Sequence, residues 1–172
     1  MPDDIESATD LLLHDPHKLL LSALEDESHS PHYRLLIEYG VPFDPSPLIA
    51  GVTPGRKRCC ALNSAELARQ HPELYTYYEG VATHRTGPRW PISHAWCVDR
   101  HGHVVDRTWT FRTISPLAYR GVPMPLGVIG DWIVEESAGF LNTRDTFAMF
   151  GNDVECMARL LGLRRIDGAK PA

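Results

Sequence analysis

One stretch constrains this chain more than any other: Ser93-His94-Ala95-Trp96-Cys97-Val98-Asp99-Arg100-His101-Gly102-His103-Val104-Val105-Asp106-Arg107-Thr108-Trp109. Ile92–Val98 and His103–Thr110 are rich in β-branched and aromatic residues, and Asp99-Arg100-His101-Gly102 between them is turn chemistry, so the stretch reads as a β-hairpin. With residues 99–101 as the loop, Val98 faces Gly102, Trp96 faces Val104 and His94 faces Asp106. Directly opposed side chains lie about 4.5–5.5 Å apart at Cβ, within reach of an imidazole–carboxylate hydrogen bond. A slip of one residue would put the two on opposite faces of the sheet. Such a carboxylate fixes the tautomer and orientation of the ring and stabilises its charged form.

Around this hairpin the chain reads as α+β. Residues 1–40 form an N-terminal helical cap of two or three short amphipathic helices, with Asp15-Pro16 marking a break. A proline-rich connector follows over residues 41–47. A helix starts at Cys60 and ends at His71-Pro72. Tyr75–Thr83 is a strand, Val128–Val134 is expected to be another, and Thr143–Leu163 a closing helix weakened at Gly151-Asn152. The expected organisation is a single domain over 1–172, with a core over 55–135 and the C-terminal helix over 143–163.

Composition excludes more than it assigns. The 172 residues are 43% hydrophobic and 23% charged, ordinary for a globular fold. The net charge of −5 divides into −7 over residues 1–30 and +2 over the rest. A chain with no basic tract is not expected to bind nucleic acid, and no apolar run has the ~18 residues that span a membrane. The acidic opening MPDDIESATD does not resemble a secretory leader. Cys59, Cys60, Cys97 and Cys156 include no Cys-x-x-Cys, which speaks against a disulfide framework or zinc knuckle. The expectation is a cytoplasmic protein with reduced thiols.

Among those thiols Cys60 stands apart. It sits where a loop becomes a helix, and the unpaired N–H groups and positive dipole end there favour a thiolate. Arg56, Lys57 and Arg58 precede it, a poor choice for a helix start but a good one for lowering a thiol pKa. A thiolate, backbone N–H groups for an oxyanion and a His94–Asp106 pair together suffice for acyl transfer. Each element also has a plainer reading: Cys60 as a small buried hydrophobe, His94 as a core histidine, Asp106 as a strand cap. Glu79 either lines the site or is a structural carboxylate. Arg85, Arg89 and Trp90, in the loop leading to the His94 strand, and Trp96 beside His94 are candidate substrate contacts. A metal site on His94, His101 and His103 is a third reading, less favoured than a solvated hairpin tip.

His94-Ala95-Trp96, the glycine-containing turn and Asp106-Arg107-Thr108-Trp109 resemble the His–Asp half of the transglutaminase-like branch of the papain-like cysteine hydrolases. The likeness extends to small bacterial and phage proteins that read Cys-x-x-Asn, Tyr-x-Glu-Gly, His-Ala-Trp and Asp-x-Thr. Here those are Cys60 with Asn63, Tyr77-Tyr78-Glu79-Gly80, His94-Ala95-Trp96 and Asp106-Arg107-Thr108, within residues 58–122. The resemblance implies a helix packed on an antiparallel sheet, with Cys60 as nucleophile, His94 as general base and Asp106 as orienting acid. The doubled cysteine leaves Cys59 as an alternative, although the Cys-x-x-Asn spacing favours Cys60. Tyr119 to Pro123 would lie near the site. The implied activity is that of a cysteine protease, amidase, deamidase or acyltransferase on a peptide, protein or small amide or thioester, with no cofactor or metal. An inactive binding module on the same scaffold is the alternative.

Overall fold

The structure is a computed structural model that describes residues 15–85, 91–110, 114–129, 139–142 and 150–166. Asp15 and Pro16, expected as a break, start a helix: α1 (Pro16–Asp26) has proline in its first turn, and the Asp15 carboxylate accepts the N–H groups of His17 and Lys18 at 3.1 and 3.2 Å. α2 (Pro31–Tyr39) follows, also opened by proline. Leu20 and Leu24 of α1 and Leu35 and Leu36 of α2 are buried in the same core as Ala61, Ala65, Tyr77, Ala95 and Cys97. The described part of the N-terminal cap is thus one wall of the main core, and removing it would expose that core to water.

Five strands form one antiparallel sheet: β1 (Val41–Phe43), β2 (Tyr75–His84), β3 (Ile92–Asp99), β4 (Val104–Val105) and β5 (Pro116–Pro123), in the order β1-β5-β2-β3-β4. One face, through Tyr77, Val81, Ala95, Cys97, Ala118 and Val122, packs in the helix-covered core. Alternate residues Ala82, Trp96, Val98, Val104 and Tyr119 make a second, aromatic cluster with Phe43, Tyr78 and Trp109. This two-sided burial is why β2 and β3 lack a clean polar–apolar alternation. α3 (Cys60–Gln70) lies on β3 and β2, and α4 (Val154–Leu160) packs against α2.

Four expectations need correction. The proline-rich connector contains β1, and proline is tolerated there because β1 is an edge strand. Tyr119 to Pro123, expected only to lie near the site, belong to the strand β5 inside the sheet. The second hairpin arm pairs over Val104–Val105 alone, with Val98 opposite Val104 and Cys97 opposite Val105. The loop is therefore two residues longer than expected. A shift of two preserves sidedness, so Asp106 stays on the face of His94 while reaching it diagonally. Val128 and Ile129 belong to a helical turn over residues 126–129 rather than to a strand. At Gly151, where the C-terminal helix was expected to weaken, φ is 54° and the backbone is not helical between Phe150 and α4; residues 143–149 of that expected helix lie outside the described set.

Candidate active site

The shortness of β4 creates the site. Pairing of β3 with β4 stops at Cys97, which leaves Ala95 without a strand neighbour on that side. The start of α3 takes the place of the missing strand. Ser64 Oγ donates to the Ala95 carbonyl at 3.2 Å, and the Ala95 N–H is among the groups that favour the Cys60 thiolate. Buried backbone groups must find such partners, and the Ser64 bond holds the first turns of the helix against the residue next to His94. The first bond of the helix runs from the Asn63 N–H to the Cys59 carbonyl at 2.9 Å, so the N–H groups of Cys60, Ala61 and Leu62 precede the helical ladder.

His94 is buried, and its Nε2 lies 2.7 Å from Asp106 Oδ2. The Asp106 carboxylate is saturated: Oδ2 also accepts the Tyr119 hydroxyl at 2.9 Å, and Oδ1 accepts the N–H groups of Thr108 and Trp109 at 2.8 and 2.9 Å. Those backbone bonds curl the chain straight after Val105, which is the reason the strand ends there. With Nε2 donating to an acceptor-only carboxylate, Nδ1 is the ring nitrogen left for Cys60. The imidazole stacks on Trp109 with centroids 4.2 Å apart and planes 23° apart, and Trp96 and Tyr119 complete its aromatic surround. The ring has one orientation, set by a hydrogen bond at one nitrogen and by aromatic packing around it.

Electrostatics follow from this packing. Burial opposes ionisation of Cys60, but the His94 hydrogen bond and charge and the N–H groups of Ala95 and Ala61 outweigh it and hold the thiol below its ordinary range. Burial likewise works against a charged His94, and Asp106 and the Cys60 sulfur reverse that and raise its pKa. Both shifts favour a thiolate–imidazolium pair. Cys97 is the contrasting case: desolvation pushes its thiol up to about 12, and it donates to the Ser64 carbonyl at 3.1 Å.

Two cavities share Cys60, Arg58, Ser93 and His94. The smaller, about 230 Å³, is also bounded by His32, Leu36, Glu79, Gly80, Gly139 and Leu141. The larger, about 540 Å³, is bounded by Lys57, Ile92, Thr108, Trp109 and Ile114. Cys60 and His94 thus stand where two hollows meet.

The structure brings together Cys60, His94 and Asp106 but distributes the remaining candidates differently. Glu79 lines the smaller cavity, yet its oxygens accept the Tyr77 hydroxyl and the N–H groups of Phe140 and Leu141, each at 2.8 Å. Burial raises its pKa and these three donors pull the other way. In this arrangement it anchors the 139–142 segment to β2. Trp96, expected as a substrate contact, is wholly buried and lines neither cavity; it packs beside His94 instead. Arg85 is exposed just past β2, its N–H donating to the Ser115 carbonyl, and it lines neither cavity. Arg89 and Trp90 lie outside the described residues. His101 and His103 sit exposed at the hairpin tip, away from the buried His94, and the Asp99 carboxylate accepts the N–H groups of both. Among the described residues no three His, Cys, Asp or Glu side chains converge as metal ligands, and no helix is long and apolar enough to cross a membrane.

Asn63 has a role that its position in a motif did not disclose. Its Oδ1 accepts the Arg56 N–H at 2.9 Å, and its Nδ2 donates to the Arg56 carbonyl and to Thr108 Oγ1, both at 2.7 Å. The asparagine of Cys-x-x-Asn therefore clasps the threonine of Asp-x-Thr and ties the approach to Cys60 to the turn that carries Asp106. Asn63→Ala is expected to lower the unfolding free energy by about 2–4 kcal/mol, because three hydrogen bonds of a buried amide are lost at about 0.5–1.5 kcal/mol each. Denaturant titration measures this, and Thr108→Val, which removes one of the three bonds, should cost less. Comparison with known proteins returns no matching family model, no matching curated protein and no matching solved structure.

Proposed function

We propose that the chain is a cysteine-nucleophile hydrolase or acyltransferase acting on an amide or thioester, built on a fold of the papain-like, transglutaminase-like type. The observation that carries this reading is the line Cys60–His94–Asp106 at the meeting of two cavities, with its acid saturated and its base held in one tautomer. The Cys60 thiolate attacks the carbonyl carbon and a C–S bond forms. The N–H groups at the start of α3 stabilise the oxyanion. The His94 Nδ1 proton passes to the leaving nitrogen as the C–N bond breaks; with a thioester the leaving sulfur departs in its place. His94 then deprotonates water or an amine, which attacks the acyl-enzyme and regenerates the Cys60 thiolate. The substrate is a peptide, a protein or a small amide or thioester.

Substoichiometric iodoacetamide with peptide mapping tests this. Cys60 is expected to react ahead of Cys59, Cys97 and Cys156. Because its thiol ionises below the ordinary range, the midpoint of its alkylation-rate profile is expected below about pH 8.5, the value of an ordinary thiol, with a plateau above it. Cys59→Ala should keep that profile and Cys60→Ala should abolish it. A Cys60 that reacts no faster than Cys59, with its rise centred near pH 8.5, would overturn the reading.

A further inference from the structure

The charges around the sulfur are one-sided. The larger cavity is bounded by two cations, Lys57 and Arg58, two hydroxyl side chains, Ser93 and Thr108, and the apolar surfaces of Ile92, Trp109 and Ile114. No carboxylate is among its described lining residues. The smaller cavity has one, Glu79, whose oxygens are taken up by three donors. Arg107 is not part of this charge, since its guanidinium donates to the carbonyls of Thr53 and Asn63 at 2.9 and 3.4 Å. Lys57 and Arg58 are exposed, and among the described residues neither is in an ion pair.

Arg58 carries a second signal. Its φ is 61°, and it is the one non-glycine residue at positive φ among those described. A glycine or asparagine would hold that backbone with less strain, so an arginine there points to a use for its side chain. The turn places Arg58 on the wall of both cavities, two residues before Cys60. The start of α3 adds positive potential of the same sign. A hollow lined by cations and by low-dielectric apolar surface concentrates anions.

We propose that Lys57 and Arg58 select the substrate by charge: the amide or thioester carries a carboxylate, seated in the larger cavity within one residue of the scissile carbonyl. This rests on Cys60 as the nucleophile and adds the class of substrate. Specificity then comes from two residues of the loop, while the reacting atoms belong to Cys60 and His94.

Iodoacetate and iodoacetamide test the proposal, because both alkylate a thiolate with loss of iodide and differ chiefly in charge. The readout is the ratio of their rate constants at Cys60 at low ionic strength. The His94 imidazolium attracts the anion in every variant, and a change in thiol reactivity common to both reagents divides out. Arg58→Asn removes the charge with a residue that tolerates positive φ. In the double variant Lys57→Gln/Arg58→Asn the iodoacetate-to-iodoacetamide ratio is expected to fall about five- to tenfold, with Arg58→Lys close to wild type. The difference should shrink as salt is added. Lys57→Gln, at ordinary backbone, lowers the ratio in the same direction by itself. A ratio unchanged within twofold in both neutralised variants, with Cys60 still selectively alkylated by iodoacetamide, overturns the charge selection and leaves the nucleophile standing. A Cys60 inert to both reagents overturns the nucleophile itself.

Discussion

Asp106→Asn is expected to move the pH profile of Cys60 alkylation by iodoacetamide to higher pH and to slow the reaction on the acidic side of about pH 8.5, with little loss of folding stability. Asparagine can keep its Oδ1 on the N–H groups of Thr108 and Trp109, where the aspartate holds them at 2.8 and 2.9 Å. Its amide then faces His94 Nε2 as a donor. The imidazole must accept there, so its single proton moves to Nδ1, on the side of Cys60. A neutral ring in that tautomer cannot take the thiol proton, and a carboxamide does not stabilise an imidazolium. Without the ion pair the thiol returns to the ordinary range, where about 0.3% is thiolate at pH 6. The two rates should converge near pH 10, where ordinary thiols are ionised too. A pH profile that coincides with wild type would refute the assignment of Asp106.

Asp106→Ala separates chemistry from structure in the other direction. It leaves the Tyr119 hydroxyl and two backbone N–H groups without their acceptor in a buried place, at about 1–3 kcal/mol for each group left unsatisfied. The alanine variant should therefore lose stability and reactivity together, whereas the asparagine variant loses mainly reactivity.

The pairing of His94 with Asp106 was legible in the sequence because strand sidedness has a period of two. The expected register was out by two residues, and an error of that size leaves both side chains on one face. What sequence could not supply was the reason Cys60 reaches them. That depends on where β4 stops, and the stop is dictated by Asp106 collecting N–H groups two and three residues ahead. The Asn63–Thr108 bond spans 45 residues and has no local signal. Trp96 was misplaced for a related reason: a large aromatic beside a reactive histidine looks like a substrate contact until the opposite strand is known. β5 was hidden by its own content. Prolines bound it and Arg120-Gly121 interrupts its apolar pattern, yet both residues have tertiary tasks. Arg120 donates to the carbonyls of Leu36 and Ile37 at 2.8 and 3.1 Å, at the end of α2. A Cβ on Gly121 would stand 2.6 Å from the Trp96 ring.

Gly80 leads to the second prediction, that Gly80→Val strongly destabilises the sheet beneath the site. Gly80 pairs with His94 on one side and with Gly121 on the other, so it stands at the centre of the three-strand core. A Cβ there would lie 2.1 Å from the Arg120 carbonyl oxygen and 2.5 Å from the Gly121 Cα. Both are backbone atoms of a central strand and have no rotamer through which to retreat, so β5 must move away from β2. Overpacking of this kind costs about 3 kcal/mol or more. For a chain of this size that corresponds to roughly 6–12 °C in Tm. Gly80→Ala should show the same defect, since the first added carbon already clashes. Gly127→Ala is the matched control, because a Cβ at Gly127 meets nothing within 4 Å; its Tm should lie within a degree or two of wild type. Thermal melts of the three variants decide the matter, and a Gly80→Ala protein as stable as Gly127→Ala would mean that β2 and β5 are not held this close. Because Gly80 also lines the smaller cavity next to Cys60, a residual folded fraction of Gly80→Ala should show slower Cys60 alkylation as well. The close approach of two glycines thus positions the strand that carries His94, and the Gly of Tyr-x-Glu-Gly acts on the proposed chemistry through the spacing of the backbone.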